Sequence, residues 1–94
     1  MKLIYSSDAI EDLTQLREFI EKFNPPAARR IAAELIQRID QLRSFPEIGR
    51  ILEPPQPLNN KIIRDFSFGK YIVRYVCSSE AVIVLRIWHH YEDR

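Results

Sequence analysis

The sequence predicts an α+β domain in the order β-α-α-β-β-β: an N-terminal strand, an antiparallel two-helix hairpin, then a three-stranded antiparallel meander. Three observations carry this. Apolar residues recur at steps of three and four through residues 9–45, the period of helices facing a core. After four closely spaced prolines the pattern changes to runs rich in Ile, Val, Tyr and Phe, the composition of strands. The links between those runs are short, which suits antiparallel neighbours. With 94 residues, a hydrophobic fraction of 46% and no internal repeat, the chain is read as one domain over residues 1–94.

Lys2 to Tyr5 reads as a short strand ended by Ser6-Ser7-Asp8. Ser7 or Asp8 is expected to cap the next helix by accepting a backbone N–H, with Glu11 and Asp12 favourably placed in its first turn. Ala9, Leu13, Leu16, Ile20 and Phe23 form its apolar stripe, and the helix is expected to stop near Asn24, before Pro25-Pro26. The same two prolines suit the first turn of a second helix, where the missing N–H costs nothing. Ala28, Ile31, Ala32, Leu35, Ile39, Leu42 and Phe45 continue the helical period until Ser44, Pro46 and Gly49. Residues 46–60 read as an irregular crossing segment. Strands are expected at Lys61 to Phe66, Tyr71 to Cys77 and Ala81 to Trp88, with turns at Ser67-Phe68-Gly69-Lys70 and Ser78-Ser79-Glu80.

Composition narrows the function. The lone cysteine, Cys77, cannot form an internal disulfide and sits in an apolar strand, as a small buried hydrophobe would. No run approaches a membrane span and no secretory leader is apparent, so a cytoplasmic protein with no membrane partner is expected. His89 and His90 are adjacent and point to opposite faces of a strand, which argues against a shared metal. With only Gly49 and Gly69 there is no glycine-rich phosphate loop. Neither a metal nor a cofactor is called for. Residues 1–48 carry seven Lys/Arg against eight Asp/Glu, and residues 49–94 carry seven against five. Such a balance lacks the basic surplus of a protein living on nucleic-acid phosphates.

The dense stretch is the end of the chain. Arg64, Arg74 and Arg86 each fall within an expected strand, and Arg86-Ile87-Trp88-His89-His90-Tyr91-Glu92-Asp93-Arg94 is rich in groups that contact polyanions or anchor proteins. Alternation places Tyr71, Val73 and Tyr75 on one face and Ile72, Arg74 and Val76 on the other. Arg74 breaks the apolar pattern of its strand, as functional or ion-paired residues do. Two readings stand for it: a contact to a target, or an ion pair with Glu92, Asp93 or Asp65. Arg86 carries the same pair of readings, and Trp88 fits core or sheet-edge packing better than a stacking platform.

Ala9…Asp12-Leu13, Asn24-Pro25…Ala28 and Phe45-Pro46-Glu47-Ile48-Gly49-Arg50 together resemble the helix hairpin and Pro-x-x-Gly-Arg link of the RelE/ParE toxins. Tyr71-Ile72-Val73-Arg74-Tyr75, Val82 to Leu85 and the segment Arg86 to Arg94 resemble their C-terminal hairpin and tail. The resemblance spans nearly the whole chain and rests on order and spacing. It implies a four-stranded sheet against the hairpin and a cognate antitoxin as partner. In the RelE-like branch it implies a ribosome-dependent, metal-independent mRNA endoribonuclease, for which Arg64, Arg74, Arg86, His90 and Tyr91 would be catalytic candidates. Ile72, however, stands where that branch usually has an arginine after the strand aromatic, and Pro54-Pro55-Gln56-Pro57 lies near where its most basic members have a lysine-rich loop. The ParE-like branch binds DNA gyrase without itself catalysing a reaction. The long hairpin, the Pro46…Gly49-Arg50 link, the segment Arg86-Ile87-Trp88-His89 and the near-neutral charge are closer to that branch. On that reading Arg74, Arg86, His89, His90, Tyr91 and Arg94 are the target-binding candidates, with gyrase as the target and the ribosome and mRNA as the alternative.

Overall fold

In a computed structural model, which describes residues 1–53 and 61–90, the chain begins with β1 (Lys2–Tyr5), followed by α1 (Ser7–Glu21) and α2 (Pro25–Asp40). A 3-10 turn at Gln41–Arg43 leads to a two-residue strand β2 (Arg50–Ile51), then β3 (Ile63–Phe68), β4 (Tyr71–Cys77) and β5 (Ala81–His89). The expected α+β architecture holds, with one addition. The sheet has five strands rather than four, in the order β1-β5-β4-β3-β2. Strand β2 comes from the segment expected to be irregular; Arg50 and Ile51 pair antiparallel with Asp65 and Arg64. Two residues beside a proline-rich run carry too little pattern to be read as a strand.

Local chemistry sets the element ends. Ser6, not Ser7 or Asp8, caps α1: its hydroxyl oxygen accepts from the Ala9 N–H at 3.0 Å and its O–H donates to the Leu85 carbonyl at 2.9 Å. Asn24 caps α2 by accepting from the Ala27 N–H at 3.2 Å, with Pro25 and Pro26 in the first turn as expected. Helix α1 stops at Glu21, so Phe23 falls off the stripe and lies 76% exposed, edge-on to Phe19 at 5.4 Å. Helix α2 stops at Asp40, and the tighter 3-10 turn changes the direction in which residues beyond it face. Phe45 is therefore exposed rather than part of the core.

Ala9, Leu35, Ile39 and Leu42 pack from the helical layer against Val73, Tyr75, Val82, Val84 and Ile87 of the two central strands, all at most 1% exposed. Burying each of the larger aliphatic side chains contributes roughly 1.5–3 kcal/mol. Strand β1 runs parallel to β5, from Lys2 opposite Ala81 to Tyr5 opposite Val84, while the meander β3-β4-β5 is antiparallel. This crossover carries α1 over β5, against which it packs. Strands β3 and β4 turn through Gly69 and Lys70 alone, so β3 runs two residues further than the sequence suggests. Among the described residues, no helix is long and apolar enough to cross a membrane.

Candidate functional site

The candidate residues are distributed by β5. Its register against β4 slips once: Tyr75 faces Val84 while Arg74 faces Arg86, leaving Leu85 as an extra residue. Such a bulge reverses the alternation beyond it. Val82 and Val84 point to the helices before the bulge, and Ile87 and His89 share that face after it. Arg86 and Trp88 consequently share the other face with Arg74.

Arg74 donates through Nε to Asp65 Oδ1 at 2.8 Å and through Nη2 to Asp65 Oδ2 at 3.0 Å, a bidentate pair across β3 and β4. Its guanidinium lies over the Trp88 ring, 4.9 Å from the centroid. The hydrogen bond to Asp65 pushes its pKa above the ordinary arginine value. Of the partners weighed for it, Asp65 is the one the structure provides; Glu92 and Asp93 lie outside the described residues.

Arg86 has a different partner, unforeseen in the sequence. Its Nε and Nη2 donate to Asp12 Oδ2 and Oδ1 at 2.8 and 2.9 Å, and the Ile87 N–H donates to Asp12 Oδ2 at 2.9 Å. Asp12 is not a first-turn residue favouring the helix dipole, as the sequence suggests. It is 5% exposed and faces β5. The hydrogen bond to Asp12 raises the Arg86 pKa. A carboxylate removed from water this far is tolerated because N–H groups satisfy it, those of Arg86 and Ile87 among the described residues. One signal for this is present in the sequence: Asp12 stands three residues after Ala9, on the buried side of the stripe.

Arg64 lies apart. Its Nη1 donates to the carbonyls of Gly49 at 2.9 Å and Glu47 at 3.4 Å. There it meets Tyr75, whose hydroxyl donates to the Pro46 carbonyl and accepts from the Gly49 N–H, both at 2.8 Å. A Cβ on Gly49 would lie 2.6 Å from the Tyr75 oxygen, so the link's glycine is required by close approach. Cys77 points at the same Pro46 carbonyl, 3.4 Å away, and burial pushes its thiol pKa up, as suits a packing role.

At the end of β5, His89 meets the Tyr71 ring edge-on at 5.4 Å. The His90 N–H donates to the Lys70 carbonyl, which brings the turn tip against the strand end. Both Lys70 and His90 occupy exposed positions. The sequence marks Lys70 only as a turn residue, and the structure adds it to this group. Tyr91 and Arg94 lie outside the described residues. The structure thus brings together Lys70, Tyr71, His89 and His90, sets Arg74 and Arg86 opposite each other on neighbouring strands, and holds Arg64 on the opposite face. This arrangement offers cations and aromatics fixed in place for contact. Among the described residues no three His, Cys, Asp or Glu side chains gather as a metal site would require.

Comparison with known proteins fits this geometry. The family model described as ParE toxin of type II toxin-antitoxin system, parDE, matches residues 3–94. The protein named Toxin RelE2 from Caulobacter vibrioides is 31% identical over 88 residues, covering 94% of this chain and 93% of that protein. Among solved structures, a chain of the chromosomal ParDE toxin–antitoxin system from P. aeruginosa superposes with a TM-score of 0.79 at 17% identity, over 95% of both chains. A chain of the toxin–antitoxin complex RelBE2 from Mycobacterium tuberculosis gives 0.59 at 22% identity, over 94% of this chain and 95% of that one. At those identities the two structures speak for the fold. The match over residues 3–94, on the hairpin, link and strand order described above, places the chain in the ParE toxin family of type II toxin–antitoxin systems, within the RelE/ParE superfamily.

Proposed function

We propose that this chain acts in the cytoplasm as a gyrase-binding toxin, held inactive by a cognate antitoxin. One observation carries the choice of a binder over a nuclease. The strand arginines that would have to meet a scissile phosphate are engaged within the fold: Arg74 by Asp65, Arg86 by Asp12, and Arg64 by the link carbonyls. Stabilising a charged phosphorane requires donors aimed at the place where the charge develops. Bidentate contacts to carboxylates aim Arg74 and Arg86 elsewhere. The end of β5, with Lys70, Tyr71, His89 and His90, supplies the contact surface; Tyr91 and Arg94, which follow in the sequence, remain target-binding candidates outside the described residues. The antitoxin finds apolar anchors in Ile10, Phe19, Phe23 and Ile36 of the hairpin, each at least 47% exposed. The toxin–antitoxin systems among the solved relatives support a partner of this kind.

Purified protein titrated into a gyrase supercoiling reaction with ATP is expected to block supercoiling or trap cleaved DNA, while leaving mRNA intact in a ribosome-coupled translation reaction. Normal supercoiling at saturating folded protein would rule the reading out. The second reading, a ribosome-dependent endoribonuclease, draws on the exposed position of His90 beside Lys70 and next to Tyr91. On that reading mRNA would be cut and His90→Ala would abolish cutting with the fold retained.

A further inference from the structure

We infer that Asp12 is a positioning residue, whose carboxylate locks the bulged register of β5 and so decides which faces Trp88 and His89 occupy. The link to toxicity rests on the binding surface proposed above; the register itself does not.

The edge of β5 away from β4 is completed in sequence by three different partners. Strand β1 covers Ala81 to Val84. Ser6 comes next, its N–H donating to the Val84 carbonyl and its hydroxyl to the Leu85 carbonyl, both at 2.9 Å. Asp12 then accepts the Ile87 N–H. The bulge residue, Leu85, therefore falls where regular pairing with β1 has ended and side chains of the α1 region take over. A strand at such a place is open to slippage, since regular pairing and the bulged pairing differ by one residue. Two features choose the bulged form. Asp12 accepts the Ile87 N–H, which meets the carboxylate in the bulged register, and it binds Arg86 at both oxygens. Without the bulge, Arg86 and Trp88 would continue the alternation of Val82 and Val84 into the core. Ile87, 1% exposed under the helices, and His89, beside Tyr71, would turn to the other face. An arginine driven among Val73, Tyr75, Val82 and Val84 would lose water, and the Ile87 N–H would move off the carboxylate, so the contacts to Asp12 favour the bulged register.

The test uses the full chain with Asp12→Asn, Arg86→Lys and the pair combined. NMR contacts between Tyr71 and His89, and between Val73 and Ile87, report the register. Fluorescence of Trp88, the single tryptophan, reports its face. Asp12→Asn is expected to remain folded, to weaken or split the Tyr71–His89 contact, to shift the Trp88 emission, and to raise the concentration for half-inhibition of gyrase by about ten-fold or more. Arg86→Lys should do the same, and the double variant should be no worse than the more affected single, because both act through one contact. Native contacts and emission in Asp12→Asn would overturn the inference. So would additive losses in the double variant, which would mean that Arg86 touches the target itself. Should Asp12→Asn fail to fold, Arg86→Lys decides by the same contacts, since it removes the bidentate hold on Asp12 without leaving a buried charge unpaired: a weakened or split Tyr71–His89 contact supports the inference, and native contacts and emission overturn it. If the unaltered chain does not inhibit gyrase, the target reading falls and the contacts and emission still decide the role of Asp12.

Discussion

At the scale of single residues, the arginines show how far side-chain chemistry can be read ahead of a fold. Arg74 is conspicuous as a charge in an apolar strand, and Asp65 is among the partners that alternation allows. The partner of Arg86 is out of reach, because Asp12 is 74 residues away and meets β5 only through the parallel crossover of β1. Tyr75 makes the same point on the other side of the sheet. Alternation places it on the face with Val73, but nothing local assigns its hydroxyl to the Pro46–Gly49 link. That hydroxyl serves one acceptor and one donor, and Gly49 is buried. Tyr75→Phe keeps the ring, strands the buried Gly49 N–H and leaves the Pro46 carbonyl only the weak Cys77 thiol donor, so a loss of roughly 1–3 kcal/mol is expected from equilibrium urea unfolding. A loss below about 0.5 kcal/mol would mean that water replaces the hydroxyl.

At the scale of elements, period and capping chemistry make both helices and the last three strands legible, and fail where an element is defined by its partners. Ser6 caps α1 in place of its neighbours because its hydroxyl also reaches Leu85, a tertiary contact. The two residues of β2 are a strand only because β3 lies beside them. The β5 bulge leaves no mark of its own in the sequence, because Ala81 to Leu85 are uniformly apolar and Arg86, the charge that follows, does not by itself fix the register. The β3–β4 turn falls where the sequence puts it but is narrower, since Ser67 and Phe68 remain paired with Ile72 and Tyr71. Gly69 has a positive φ of 56°, and a Cβ there meets nothing within 4 Å. Gly69→Ala should therefore cost backbone strain without a clash, about 1–2 kcal/mol in thermal or urea unfolding, while Gly69→Asn should recover much of it. Equal losses for alanine and asparagine would point to a cause other than the left-handed conformation.

At the scale of the whole molecule, the near balance of charge hides an asymmetry in where titration matters. Among the described residues, the groups that burial shifts within the alkaline range are weak acids held neutral by the packed sheet and link. Burial raises the pKa of Tyr75 above 10.0, although its bond from the Gly49 N–H acts the other way. Tyr5 is raised by burial and then by the charge of Asp40, and Tyr71 by burial. Cys77 is raised from 9.0, again by burial first. In each case the folded pKa exceeds the unfolded one, so the folded state binds protons more tightly. Their contribution to stability is complete below the unfolded pKa and is lost as pH rises through the folded one. The urea midpoint is therefore expected to be unaffected by these groups up to about pH 8.5 and to fall progressively above about pH 9–10, beginning with the thiol and continuing with the phenols. Cys77→Ser should remove the earliest part of the decline, and Tyr75→Phe should flatten the later part although its starting midpoint is lower. Opposite charges do not compensate, because the hydrogen bonds to Asp65 and Asp12 raise the Arg74 and Arg86 pKa values above the ordinary arginine range, so both stay charged across this whole range. A midpoint that stayed level to about pH 11 would mean that these phenols and the thiol ionise as they do in the unfolded chain, and that the link and sheet admit water around them.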